Sequence, residues 1–238
     1  MRLYGKRSVL ERLKAAPKTI RTLTLRQGVE LSGIVRTAKA ASIHFSSLPP
    51  PKFDKLVGDV HSQGVFAEVG EFHYLGLEQL LEKKGPRPIL LFLDRVTDPQ
   101  NLGAILRTMA CLGGIAVVLP KHESVEVNET VLRVASGGEN YVPVARVTNL
   151  VQASEHAKKA GYWIVGAVPS GGTPLPHVKW PFPLAVVLGS EGGGIRPGLQ
   201  KHLELTVSLP MPGVALSFNV ATTAALIAYE MTRTRSVA

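Results

Sequence analysis

Cysteine occurs once in the 238 residues, at Cys111, so no disulfide can close within the chain and a reducing compartment, the cytoplasm, is expected. Apolar runs are short and interrupted by glycine or proline. None reaches the roughly 18 to 20 residues that a membrane span requires, and Met1 to Leu10 carries charges where a signal peptide would be apolar. A soluble protein with no membrane partner is the expectation. Metal and nucleotide motifs are missing too. The seven histidines show neither H-x-x-x-H nor H-x-H spacing, and with one cysteine a zinc site is disfavoured, so no metal is expected. There is no G-x-G-x-x-G, no G-x-x-x-x-G-K-[ST] and no G-x-S-x-G. A standard dinucleotide fold, a phosphate-cradling NTPase and a hydrolase elbow lose support together.

Acidic residues are scarce at one end. Residues 1 to 55 hold 12 Lys/Arg against 3 Asp/Glu, a net of +9, whereas residues 56 to 238 hold 15 of each and cancel. The whole charge excess is N-terminal, which is the expected footprint of a polyphosphate partner because each neutralised phosphate releases condensed counterions. Aromatics in that segment are few (Tyr4, Phe45, Phe53), which favours backbone and shape readout over base stacking. An ordinary solvated basic surface is the bland alternative.

What is present reads as an α/β chain in two parts. Ser8-Val9-Leu10-Glu11 fits the S-x-x-E capping box and predicts a helix from Ser8 through Ala15. Thr19 to Leu25, Ile43 to Phe45 and Val65 to Val69 are strand candidates, with a helical pattern over Val29 to Ala41. Residues 81 to 88, with two prolines and a glycine among charges, predict a linker. The expected domains are therefore 1–80 and 89–238. In the second, strand candidates Ile89 to Leu93, Ile115 to Leu119, Val142 to Val144, Trp163 to Gly166, Leu184 to Leu188 and Thr206 to Leu209 alternate with helices. Those helices lie near Gln100 to Cys111, Asn128 to Ala135, Leu150 to Ala160 and Asn219 to Arg233. The alternation implies a mainly parallel sheet covered on both faces.

Three loops leave apolar strands, and in an open α/β sheet such loops bind ligands. Asp98-Pro99 after the first can cap a helix. Gly103 and Arg107 lie four apart on that helix, so a missing side chain beside a guanidinium leaves room for a bound group; a surface ion pair is the plain alternative for Arg107. Leu188-Gly189-Ser190-Glu191 ends the second strand on a glycine that lets backbone approach a ligand or merely turns the chain. After the third, Ser217 can cap the last helix, whose Ala221, Thr222, Thr223, Ala224, Ala225 and Ala228 permit close packing.

Together the segments resemble the SpoU (TrmH) family of RNA ribose 2′-O-methyltransferases. Asn101, Gly103 and Arg107 match N-x-G-x-x-x-R; Leu188, Gly189, Glu191 and Gly192 match L-G-x-E-G; and Pro210, Met211, Ser217 and Asn219 match the P-M…S-x-N segment. The likeness continues through Val134-Ala135-Ser136-Gly137-Gly138-Glu139, Pro143 to Leu150 and Trp163 to Ala167, and spans residues 88 to 235. Tyr4 to Leu10 and His61-Ser62-Gln63-Gly64-Val65 are similar to a subgroup that modifies a guanosine of bacterial 23S rRNA. Phe218 stands where leucine is usual, and Ser62 reads as an insertion.

The resemblance implies a SPOUT-type methyltransferase domain with a trefoil knot behind a small L30e-like RNA-binding domain, a homodimer, RNA and not DNA as partner, and S-adenosylmethionine as methyl donor. It assigns Gly189, Leu209, Phe218 and Ala167 to the cofactor, and Arg107, Asn101, Glu191, Ser217 and Asn219 to the reacting ribose. For Arg107 the reading favours a phosphate clamp over a general base, because a protonated guanidinium offers donors and no acceptor. The same chemistry on tRNA or another rRNA nucleotide, and a non-catalytic RNA-binding or ribosome-assembly protein, stay open as alternatives.

Overall fold

A computed structural model of the chain describes residues 1–82, 88–190, 192–214 and 216–235. The N-terminal part is a four-stranded sheet ordered β1-β4-β2-β3, built from β1 (Arg2–Tyr4), β2 (Ile20–Arg26), β3 (Ser46–Leu48) and β4 (Val65–Val69). Helices α1 (Lys6–Ala15), α2 (Ser32–Ala40) and α3 (Pro50–Val57) connect these strands. A short helix α4 (Leu77–Leu81) follows, and the linker expected at 81–88 falls largely on residues 83–87, outside the described residues.

The larger sheet contains β5 (Ile89–Leu93), β6 (Ile115–Pro120), β7 (Val144–Val147), β8 (Trp163–Ala167), β9 (Thr173–Pro174), β10 (Leu184–Leu188) and β11 (Leu205–Ser208). Its order is β7-β6-β5-β10-β8-β11-β9, and every pairing is parallel. The helices are α5 (Pro99–Leu112), α6 (Glu129–Ala135), α7 (Leu150–Lys159), α8 (Pro197–Gln200) and α9 (Val220–Arg235). The unbroken apolar runs of β5 and β10 have a direct cause. Ile89, Leu91 and Leu93 face a core that includes α5, α6 and α9, while Leu90 and Phe92 face another with α4 and α7. With both faces covered, no position of the strand is left for a polar residue.

The expected fold class is therefore observed, and local chemistry explains most boundaries. Asp98 caps α5 by accepting from the Gln100 amide at 2.8 Å, with Pro99 at the first position. Asn128 and Asn149 cap α6 and α7 in the same way. Where the sequence misleads, a tertiary contact decides. Helix α1 begins two residues before Ser8, which is buried inside it, because the Lys6 amide is satisfied by Gln63 Oε1 at 2.8 Å. The strand expected at Ile43 to Phe45 forms at Ser46–Leu48, paired with Thr24 to Arg26, and the one expected at Val142 to Val144 runs Val144–Val147 beside β6.

Gly103 corrects another expectation. The space beside it is occupied by α6, and a Cβ there would lie 2.6 Å from Val134 Cβ and 3.0 Å from the Val131 carbonyl oxygen. This glycine brings two helices together and leaves no room for a ligand. Gly103→Ala tests the assignment because two effects oppose: alanine favours a helix by about 1 kcal/mol, whereas overpacking costs about 1–3 kcal/mol. Net destabilisation in urea unfolding is expected, and a gain in stability would refute the packing account.

Candidate functional site

A cavity of about 500 Å³ opens at the carboxyl ends of β8, β10 and β11, roofed by the start of α9. Ala167, Gly189, Leu209, Ser217 and Phe218 line it, so these five sequence candidates, drawn from four segments, meet in one place. The sheet order explains the convergence. Strands β10, β8 and β11 are neighbours and parallel, so their carboxyl ends lie side by side next to the reversal between β5 and β10, and loops leaving the carboxyl ends of strands near such a reversal are where open α/β sheets bind ligands.

Two devices shape the wall after β10. Gly189 passes so close to Gly194 that a Cβ would run into the backbone of Gly194 and Ile195. Gly194 adopts a positive φ of 57° and donates its amide to the Ser190 carbonyl at 2.9 Å. The second device is a carboxylate with no exposure to solvent. Asp94, directly after β5, accepts from the Arg196 amide at 2.8 Å and from Arg196 Nε at 2.7 Å. Next to it Arg95, held at a φ of 61°, donates to the Gly194 carbonyl at 3.1 Å, while Arg196 also reaches Glu123 at 3.3 Å. Asp94, Arg95 and Arg196 were not among the sequence candidates. A charged pair closing the wholly apolar run Ile89–Leu93 was the signal available for the first two.

Asn219 joins two distant segments. Its Oδ1 accepts from the Ala221 and Thr222 amides at 2.8 and 3.4 Å, so Asn219 caps α9 and the expected Ser217 cap does not form. Its Nδ2 donates to Asn101 Oδ1 in the first turn of α5 at 2.9 Å. The small residues of α9 serve this approach, with Ala224 and Ala228 buried and the helix packed on α5.

Arg107 stands apart from the cavity lining. It is exposed and six residues beyond Asn101 on α5, about 9 Å along the axis and turned by roughly 120°. Among the described residues its guanidinium has no hydrogen-bond or ion-pair partner, which sets aside the surface ion pair as its role. Glu191, the remaining candidate, lies outside the described residues.

These features have counterparts in known proteins. Residues 88–229 match a family profile described as SpoU rRNA methylase, and residues 2–75 match one described as RNA 2′-O ribose methyltransferase substrate binding. The chain belongs to the SpoU rRNA methylase family. Membership carries the enzyme class with it: this is a methyltransferase of RNA ribose 2′-oxygens that uses S-adenosylmethionine. The 23S rRNA (guanosine-2′-O-)-methyltransferase RlmB of Neisseria meningitidis is 35% identical over 98% of this chain and 95% of its own length. A Synechocystis protein described as an uncharacterized tRNA/rRNA methyltransferase is 34% identical over 98% of this chain and 62% of its own. In fold, the SpoU methyltransferase AviRb of Streptomyces viridochromogenes, solved in complex with AdoMet, superposes with a TM-score of 0.82 at 22% identity, covering 100% of this chain and 91% of that one.

Removing the buried Asp94 carboxylate strips the Arg196 amide and Nε of their acceptor and leaves the guanidinium only its contact with Glu123. Deleting one partner of a buried pair costs about 3–5 kcal/mol, and the partial exposure of Arg196 places this case at the lower end. Asp94→Ala is accordingly expected to lower the urea midpoint steeply. An unchanged midpoint would show that the contact does not hold the loop.

Proposed function

We propose that this chain methylates the ribose 2′-hydroxyl of a guanosine in 23S rRNA, acting as a cytoplasmic homodimer. One observation carries the proposal: motifs 118 residues apart meet through the Asn219–Asn101 bond at the edge of a cavity fitted for a small molecule. Its volume of about 500 Å³ lies within the roughly 300–1,000 Å³ of small-ligand sites. The glycine-rich wall offers backbone groups at close range, and Leu209, Ile195 and Phe218 add apolar surface. These features suit the adenosyl and methionyl parts of S-adenosylmethionine, with Ala167, Gly189, Leu209 and Phe218 as the residues that would hold it.

When bound, S-adenosylmethionine supplies an electrophilic methyl on a sulfonium. The chain's own contribution is positioning, which is worth up to roughly 7–11 kcal/mol when two reactants are held in near-attack geometry. Ser217 lines the cavity, and beside it the Asn219–Asn101 bond joins the starts of α9 and α5; with Glu191, Asn101, Ser217 and Asn219 would orient the ribose. Arg107, solvent-exposed and without an ion-pair partner among the described residues, would grip the neighbouring phosphate by charge-assisted hydrogen bonds. Its proton-donor character favours this clamp over a general base. The 2′-proton then leaves to phosphate or water.

A homodimer is supported by apolar side chains left exposed before and along α9. Val214, Leu216, Leu226 and Tyr229 are 80%, 71%, 41% and 61% exposed, and such surfaces mark association. The RNA is supported by the substrate-binding profile over residues 2–75 and by the basic excess there. Guanosine in 23S rRNA is favoured by the RlmB relative at 35% identity over nearly the full chain. Transfer to tRNA is the second reading, favoured by the tRNA/rRNA description of the Synechocystis relative.

Arg107→Lys separates the two roles of that residue: loss of turnover at every pH with S-adenosylmethionine affinity retained in calorimetry supports the clamp, whereas good activity with a displaced pH optimum supports a base. Replacing exposed Arg7, Lys14, Lys18 and Arg21 by glutamine is expected to weaken RNA binding. It should also flatten the plot of log K against log salt by about 0.7–0.9 for each phosphate that is no longer neutralised. An unaltered slope would move the RNA footprint elsewhere.

A further inference from the structure

The segment Gly137-Gly138-Glu139 belongs to no part of the cavity, yet it lies between the two functional layers. On one side α1 rests against it, and a Cβ on Gly137 would stand 2.5 Å from Glu11 Cβ. On the other side is α5, and a Cβ on Gly138 would stand 2.8 Å from the Cα of Arg107 and 3.2 Å from the Leu106 carbonyl oxygen. The backbone of a single turn is thus all that separates the basic N-terminal layer from the helix that carries Arg107.

Charged groups lock this contact. Arg12 Nη2 meets Glu139 Oε1 at 3.2 Å, and the two residues are only 5% and 2% exposed. Asn140 Nδ2 donates to the same oxygen at 2.9 Å, and Arg12 Nη1 reaches Thr19 Oγ1 at 3.3 Å. At the rim the Tyr141 hydroxyl donates to Glu11 Oε2 at 2.6 Å, which pushes the tyrosine up to about 12 and holds the glutamate below its usual range. Further bonds secure the same side: the Arg2 amide to Glu129 Oε1, and the connecting strand through Leu75 to the Val144 carbonyl, both at 2.8 Å. The Val127 amide donates to the Tyr74 hydroxyl at 2.8 Å.

Stability alone does not account for the ion pair. Burial pushes the Glu139 carboxyl up against the opposing effect of Arg12, and both Arg12 Nε and Glu139 Oε2 are buried without a hydrogen-bond partner. A buried pair so incompletely satisfied is often no more stable than apolar residues of equal size. What it supplies is orientation, since a shift or rotation of α1 on the turn would strand two charges in a dry interface, whereas the surrounding Leu3, Val9 and Leu13 would tolerate sliding.

We infer that the Arg12–Glu139 pair, with Glu11–Tyr141 at its rim, is a registration contact: it sets the distance and angle between the RNA-holding layer and the transfer cavity, so that the ribose methylated lies at a fixed offset from the bound RNA segment. The inference rests on the proposed function. Arg12 and Glu139 are then positioning residues that determine which nucleotide reacts. The test is the double variant Arg12→Met with Glu139→Leu in the full-length protein, with 23S rRNA transcript as substrate and 2′-O-methylation mapped nucleotide by nucleotide. The folding midpoint and S-adenosylmethionine affinity are expected to hold, while kcat/KM for RNA falls by about tenfold to a hundredfold and methylation spreads to neighbouring riboses. Wild-type position and kcat/KM in the variant would overturn the inference. Should the double variant not fold, Tyr141→Phe, which removes the hydroxyl that donates to Glu11, carries the same two readouts with the same meanings. Wild-type protein in the same assay reports on the underlying function separately: without methylation by wild type, the assignment of the substrate falls and not the registration contact.

Discussion

Asp94 holds the place in the sheet where the strand order reverses, and the cavity depends on its grip. Strand β5 delivers a carboxylate to a position without solvent, and the loop after the neighbouring β10 answers with the amide and guanidinium of Arg196. Because a buried carboxylate needs both a counter-charge and hydrogen bonds, the loop has one place to lie. Arg95 completes the restraint by holding the Gly194 carbonyl, and the close passage of Gly189 against the Gly194 backbone is possible only because Gly189 carries no side chain, while Gly194 supplies the positive φ of the turn. A wall of backbone groups facing the cavity is the result.

Glycine sits at two close approaches on α5. Gly103 brings α5 onto α6, and Gly138 brings the turn Gly138–Asn140 onto α5. These contacts fix where α5 lies, and α5 carries both Asn101, bonded to the cap of α9, and Arg107, turned outward. A single helix thereby connects the cavity edge, the exposed guanidinium and the N-terminal layer. The apolar core is continuous across the same region, running from Leu3 and Leu13 to Val131 and Leu106. Buried side chains of both layers thus belong to one apolar cluster.

Much of this was legible from residue order. Strands β4, β5 and β10 have the expected limits, and the cap at Asp98 stands where its side chain and the following proline require. These features are local: the residues that decide them lie within a turn or a strand of each other. The readings that failed share the opposite property. The start of α1 is set by Gln63, the packing of Gly103 by Val134, and the cap of α9 by Asn219, which also bonds a residue of another helix. Strand β3 shifted because its partner β2 offered its edge three residues further on.

The sequence by itself determined the alternation of strands and helices, the N-terminal concentration of positive charge and the family to which the three loop motifs belong. Those properties depend on residue type and spacing along the chain, and they survive without coordinates. Only the tertiary structure decided that Ala167, Gly189, Leu209, Ser217 and Phe218 share one cavity, that Arg107 stands outside its lining, and that Arg12 meets Glu139. The reason is physical: side chains distant in the chain, 127 residues apart for Arg12 and Glu139, become neighbours through parallel strand pairing and buried charge compensation, and neither leaves a periodic trace in the chain.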